Sequence, residues 1–431
     1  MLFTGAKVFI GEKFENAEIR VRDGLVSEIA IFPERLAAGS AEEVMDCSGL
    51  KIIPGLFDIH THGCLGYDFS KSSAAEDLKM LEFYAAHGVT SVLATTMTNE
   101  LGQYRYACGE IRKLIGLQET SDTAVIRDSN AGSADGYKSG IDADESASGI
   151  PRAIIRGINM EGPFLSREKR GAHDPQYLYP VSEELFEDLN SCSGHNIRLL
   201  TIAPELDGAM DFIRRHSAVR TIGSDVTDST PTFYHQHQYI SLGHSACDYS
   251  TAVEAFNSGA DHVTHLYNTM NGLSHRAPGI PGAAADSRAY VELICDGLHV
   301  HEAVVRHTFR ANPGRVVLIS DSINPTGLPE GSYSAGGLDV FMKNGEIRLA
   351  DGTLAGSSIT LFEGLRRCIT RFDIPEEEAI LAATLNPAAS VGLAQECGKI
   401  AVGMPADLLA VDNAYGLKEV FLKGKKLPRF F

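Results

Sequence analysis

Eight short apolar runs alternate with stretches of helical composition through the middle of this chain, and no other feature constrains its fold as tightly. The runs cover 52–59, 89–95, 153–160, 197–203, 239–242, 262–266, 291–295 and 316–320. Helical composition falls between several of them, at 74–87, 101–117, 250–258 and 300–309. Near-continuous apolar runs suit strands buried on both faces, and parallel neighbours need a crossover that is usually a helix. Eight strand–helix units predict an α/β protein whose parallel sheet closes into a (β/α)8 TIM-like barrel. Further helices at 358–372 and 375–384 end the middle segment.

The two ends of the chain read differently. Lys7-Val-Phe-Ile and Ala17-Glu-Ile-Arg-Val-Arg are short alternating runs, and Asp23-Gly24 follows the second as a turn, which together signal a hairpin. The stretches 398–403, 406–412 and 419–424 repeat that texture. A small β-sandwich domain built from 1–53 and 397–431 is therefore expected around a barrel spanning 54–396. The stretch 121–150, rich in Ser, Gly, Ala and Asp without a sustained period, reads as a surface insertion.

Charge and cysteine usage narrow the partners and the compartment. Lys plus Arg number 38 against 56 Asp plus Glu, a formal net charge of −18. Nucleic acids and anionic membrane surfaces need a basic footprint, so neither is an expected partner. The eight cysteines form no CxxC pair, which excludes a zinc-ribbon or disulfide-framework reading and fits a reducing compartment. The N-terminus shows no basic segment followed by an apolar one, and no apolar run approaches the ~18–20 residues that cross a bilayer. A cytoplasmic location is the expectation.

The chain contains 15 histidines, and some of them stand where a barrel builds its chemistry. The first run ends in His60-Thr-His62, and alternate strand positions can point into one site. The third run ends in Glu161, the fifth in His244, the sixth in His265 and the eighth in Asp321. All sit at the C-terminal ends of expected strands, the face where such barrels place active sites. Taken singly, each reads more readily as a satisfied core histidine or a helix-capping aspartate. Their coincidence at corresponding strand ends points to a divalent metal centre, since imidazole and carboxylate suit zinc, iron, manganese or cobalt. His235 and His237 have no such company and read as a loop or surface pair. Glu205, after the fourth run, is a possible ligand but reads more simply as a structural carboxylate.

His60-Thr-His62, Glu161-Gly-Pro-Phe, Gly243-His-Ser, Thr264-His-Leu-Tyr-Asn268-Thr-Met and Asp321 resemble the amidohydrolase superfamily and, within it, the N-acetylglucosamine-6-phosphate deacetylase family. Arg170-Gly-Ala-His173, Ser274-His-Arg276-Ala-Pro-Gly, Asp296-Gly-Leu-His299, Leu354-Ala-Gly-Ser and Gly403-Met-Pro-Ala-Asp407 extend the resemblance over nearly the whole chain, except 121–150 and about 216–238. The fourth run ends Thr201-Ile-Ala-Pro-Glu205, without the lysine typical of the hydantoinase and dihydroorotase branches.

The resemblance implies hydrolysis of the acetamido group of a phosphorylated amino sugar with one or two divalent ions per subunit. Glu161, His244 and His265 would hold the ion common to the family. His60 and His62 would add a second one bridged through Glu161, with Asp321 beside both as catalytic acid–base. His173 would meet the acetamido oxygen. Ala172, Asn268, Thr269, His299, Leu354, Ala355 and Gly356 would contact the sugar phosphate. Arg276 would reach the partner's site in a homodimer. Ala277 replaces a typical glutamate after that arginine, and Ile323-Asn-Pro replaces a typical Ala or Met after Ser322. An N-acetylgalactosamine-6-phosphate deacetylase and a non-catalytic barrel scaffold are the alternatives.

Overall fold

The computed structural model describes residues 1–126, 151–217 and 238–428. Among them, eight parallel strands follow one another around a barrel: Leu56–Thr61, Val89–Thr96, Ile154–Glu161, Ile197–Ile202, Tyr239–Leu242, His262–Val263, Tyr290–Ile294 and Val316–Ile319. Each strand is followed by a helix, beginning with Ala74–Ala86 and Leu101–Ile126 and ending with Leu361–Thr370. Ser73 starts the first of these with a reciprocal capping box, its hydroxyl accepting from Glu76 N–H while the Glu76 carboxylate accepts from Ser73 N–H. Backbone bonds just past the strand ends bring the first and eighth strands together. Asp321 N–H donates to the His60 carbonyl (2.9 Å) and His62 N–H to the Ser322 carbonyl (2.8 Å). The seam that draws the barrel shut therefore carries His60, His62 and Asp321.

The chain ends meet in a separate sheet. Leu2–Ile10 pairs antiparallel with Lys13–Arg22 and parallel with Lys51–Pro54, and Lys51–Pro54 pairs antiparallel with Leu408–Val411. Phe3, Val8, Ile19, Ile52, Leu408 and Phe421 form its core.

The apolar run 52–59 is not one strand. It is divided at Gly55, with Lys51–Pro54 in the terminal sheet and Leu56–Thr61 in the barrel. Gly55 is required there, because a Cβ would lie 2.3 Å from Thr90 Oγ1 and 2.8 Å from Thr90 Cβ. The run 262–266 is also shorter than its apolar pattern. The strand ends at Val263, and His265 then takes a left-handed backbone (φ 27°). The stretch 398–403 forms no strand, although Ile400 still packs into the terminal sheet's core.

After the eighth barrel strand comes a three-stranded antiparallel sheet absent from the expectations: Gly331–Ala335, Leu338–Lys343 and Glu346–Leu349. Its two turns, Gly336-Gly337 and Asn344-Gly345, have positive φ at both central positions, as tight hairpins of this kind require. Of the expected insertion 121–150, the first residues continue the helix to Ile126, and the remainder lies outside the described residues together with His235 and His237.

Replacing Gly55 by Ala forces Thr90 and its strand to move. The expected loss is about 1–3 kcal/mol, the usual range for overpacking a filled interior. Thermal unfolding of Gly55→Ala should show a lower midpoint, partly recovered by adding Thr90→Ala. An unchanged midpoint would mean that the two strands separate freely at this point.

Candidate active site

Glu161 ends the third barrel strand, and its buried carboxylate is the point on which the histidines converge. Its Oε1 lies 2.9 Å from His244 Nε2, 2.9 Å from His265 Nε2 and 3.6 Å from His60 Nε2. Its Oε2 lies 3.3 Å from both His62 Nε2 and His173 Nε2. Asp321 Oδ1 stands 3.3 Å from His62 Nε2 and 3.7 Å from His60 Nε2. His244, His265 and Asp321 all have positive φ, at 46°, 27° and 49°. Such backbones cost about 1–3 kcal/mol each, and they are found where function fixes a side chain's direction.

The outer nitrogens settle which way several rings face. His60 Nδ1 lies 2.8 Å from Glu292 Oε2, and His244 Nδ1 lies 3.0 Å from the Lys169 carbonyl. Each of those oxygens accepts, so both rings carry a proton on Nδ1, and Nε2 is the atom turned toward Glu161. His173 is set the opposite way. Thr98 N–H donates to its Nδ1 (3.4 Å), with Thr98 Oγ1 at 2.9 Å, which leaves the proton on Nε2, the atom turned toward the site.

Electrostatics follow from burial and these neighbours. Burial alone would raise the Glu161 carboxyl, but His173 and His60 outweigh it and hold Glu161 well below the usual carboxylate range. Burial likewise opposes ionisation of Asp321, and the hydrogen bond from His62 together with His60 outweighs it. Burial dominates at His244, whose imidazole is pushed down to about 4. At His62, Asp321 and Glu161 overcome burial and raise the imidazole to about 9. The centre thus favours a cation strongly.

Two donor groups fit divalent ions: His60, His62 and Glu161, and Glu161, His244 and His265, each with ligand atoms within 4.8 Å of one another. Within them, His60 and His62 Nε2 are 3.3 Å apart, and His244 and His265 Nε2 are 3.1 Å apart. The outward-facing Nδ1 protons of His60 and His244 leave Nε2 as the atom each ring would offer a metal beside Glu161, the arrangement of imidazole ligands held by outer hydrogen bonds. Glu205 takes no part in either group. It accepts from Ser245 Oγ (2.7 Å) and Ala246 N–H (2.6 Å), fixing the loop after His244.

A cavity of about 230 Å³ opens above this centre. Its lining includes His62, Glu161, His244, His265 and Asp321, with Ala172, His173, Asn268, Thr269, His299, Leu354, Ala355 and Gly356. His60 is fully buried and lies outside the lining. Arg276 also lies outside it, on an exposed stretch over residues 272–277. Four lining residues fall outside the sequence-derived set: Met97, Ile323, Ala335 and Thr353. Ala335 comes from the three-stranded sheet, and Met97 from the end of the second barrel strand.

Behind the lining stand further residues that escaped sequence reasoning. Asp296 grips His299, its Oδ2 lying 2.6 Å from Nδ1 while its Oδ1 accepts from the His299 and Leu298 N–H groups. Burial would lower His299, and Asp296 outweighs it, so the imidazole is raised. Glu292 had a readable signal as the one charged residue in the apolar run 291–295. Thr98 had none, being one of several threonines after the second run.

Residues 235–427 match the amidohydrolase family. The N-acetylglucosamine-6-phosphate deacetylase of Bos taurus is 30% identical, over 98% of this chain and 94% of its own length. An N-acetylgalactosamine-6-phosphate deacetylase of Escherichia coli O157:H7 is 29% identical, over 95% and 94%. Among solved structures, the N-acetyl-D-glucosamine-6-phosphate deacetylase of Mycobacterium smegmatis in complex with N-acetyl-D-glucosamine-6-phosphate is similar, with TM-score 0.79 and 26% identity over 99% of this chain and 98% of that one. A first barrel strand carrying His60 with His62 just past it, a shared Glu161 and a terminal sheet from both chain ends are thus set within a full-length match, and the chain belongs to the N-acetylglucosamine-6-phosphate deacetylase family of the amidohydrolases.

Proposed function

We propose that the chain hydrolyses the acetamido group of N-acetyl-D-glucosamine 6-phosphate, giving D-glucosamine 6-phosphate and acetate. The observation that carries this reading is the pair of donor groups sharing Glu161, with Asp321 beside them, at the floor of a cavity bounded by the Asp296–His299 pair. Glu161, His244 and His265 would hold one divalent ion, and His60, His62 and Glu161 a second. Zinc, iron, manganese and cobalt all suit this nitrogen and oxygen set. A divalent ion at such a site lowers the pKa of water toward ~7 and polarises an amide carbonyl.

The chain's own groups then divide the work. Asp321, held ionised by His62 and His60, takes a proton from the attacking water and returns it to the departing amine. His173 presents Nε2–H to the acetamido oxygen as negative charge develops there. His299 and Asn268 hold the phosphate, and Arg276 supports it from the partner subunit of a homodimer. The free thiols, seven of the eight cysteines being buried, fit a cytoplasmic setting. No helix among the described residues is long and apolar enough to cross a membrane.

A second reading, the galactosamine epimer, is favoured by the similarity to the Escherichia coli relative. Acetate release from both phosphorylated sugars, measured on protein of known metal content, tests the proposal. Preference for the gluco sugar is expected. Release from neither sugar would refute the assignment, and preference for the galacto sugar would replace it.

Asp321→Asn should cost about 10²–10⁴ in kcat, the scale of a lost proton transfer, while metal content stays at the native level. Arg276→Ala should raise KM for the phosphorylated sugar, and mixing it with Asp321→Asn should restore low-KM activity through hybrid dimers. Additive activity with no recovery on mixing would remove Arg276 from the neighbouring site.

The raised His299 imidazole carries a pH consequence. A group raised in the folded protein keeps its proton above the ordinary imidazole range and loses it as pH climbs further. Phosphate is mostly dianionic above its second pKa of ~6. KM should therefore rise with pH, the rise setting in above the ordinary imidazole range. In Asp296→Asn the rise should begin at lower pH, and superimposable KM–pH curves would exclude His299 as the phosphate's cation.

A further inference from the structure

Glu292 lies in the seventh barrel strand, fully buried in the apolar run Val291-Glu-Leu-Ile. A carboxylate there costs stability that a leucine would not, since one of its oxygens, Oε1, has no hydrogen-bond partner among the described residues. The other oxygen touches both halves of the metal centre. Oε2 lies 2.8 Å from His60 Nδ1 and accepts from the His265 backbone N–H at 3.2 Å.

The two donor groups are unequal in this respect. In the half containing His244, the ring proton goes to a neutral backbone oxygen of Lys169. In the half containing His60 it goes to a carboxylate, which strengthens the basicity of the inward nitrogen as well as fixing its tautomer. His62 Nδ1 has no hydrogen-bond partner, so His60 is the ring in that half held from behind.

We propose that Glu292 is the positioning residue that makes the His60–His62 half a binding site for a second divalent ion, while at the Glu161–His244–His265 half it meets only the His265 backbone N–H and no ligand ring. The inference rests on the metal half of the function proposed above and not on the sugar. A carboxylate behind an imidazole ligand typically accounts for 10–100-fold in metal affinity.

Chelator-stripped protein titrated with Co²⁺, followed by calorimetry and visible absorption and counted by elemental analysis, provides the test without any substrate. The wild-type chain should take two ions. Glu292→Leu should take one, with the affinity of that ion within a few-fold of the tighter wild-type site. Glu292→Gln keeps an acceptor oxygen and should take two, the second bound about 10–100-fold more weakly. A single ion in the wild-type chain, two ions bound normally by Glu292→Leu, or equal weakening of both sites would each overturn the proposal. If Glu292→Leu fails to fold, the second-site affinity of Glu292→Gln decides, and an unchanged value overturns it. Loss of acetate release with normal metal loading would count against the sugar assignment alone.

Discussion

A carboxylate buried at the end of a barrel strand, with five imidazole nitrogens within 3.6 Å, is the constraint around which the rest of this protein is arranged. Glu161 is cut off from water, and an isolated charge in that position would be untenable. Positive charge must reach it from several directions at once. A closed barrel can supply this, because successive strands end side by side around one rim. The first, fifth and sixth strands each present a histidine to Glu161, and the joining of the first and eighth strands adds Asp321. Barrel closure and assembly of the site are thus the same event.

Convergence alone would leave five rings free to rotate, and three of them are restrained individually. His60 is held by Glu292, His244 by the Lys169 carbonyl and His173 by Thr98, each through Nδ1. The opposite polarity at His173 separates roles within one cluster: rings facing inward with lone pairs can ligate, and a ring facing inward with N–H can only donate. The loop bearing His173 comes close enough because residue 171 is glycine, at φ 56°. A Cβ there would sit 2.7 Å from Thr269 Cγ2 and 3.4 Å from His244 Cε1.

Much of this was legible in the sequence, because strand periodicity and strand ends are local properties. His60, His62, Glu161, His244, His265 and Asp321 could be collected by asking what polar residue follows each apolar run. What was not legible depends on packing between distant segments. The division of 52–59 at Gly55 is set by Thr90, 35 positions away, whose side chain allows no Cβ opposite it. The three-stranded sheet had its turn residues in view, Gly336-Gly337 and Asn344-Gly345, and an alternating middle strand, but its first strand, Gly-Ser-Tyr-Ser-Ala, carries little apolar signal. Thr98 and Glu292 act on histidines that are 75 and 232 residues away in sequence. Arg276 stays outside its own chain's cavity.

The acidity of the chain, −18 overall, looks at first unsuited to a phosphorylated ligand. Asp296 resolves the conflict locally. Burial would strip the proton from His299, and the adjacent carboxylate keeps it there, so an acidic residue is what creates the cation facing the cavity. The same logic operates at the floor, where Asp321 and Glu161 raise the His62 imidazole that burial alone would lower. At His299 the negative side chain is set one layer behind the surface that a ligand meets, whereas at the floor Glu161 and Asp321 line the cavity beside their imidazoles. Net charge therefore describes how this protein repels polyanions at long range, while the sign felt by a small anion inside the barrel mouth is fixed by which carboxylates stand behind which imidazoles.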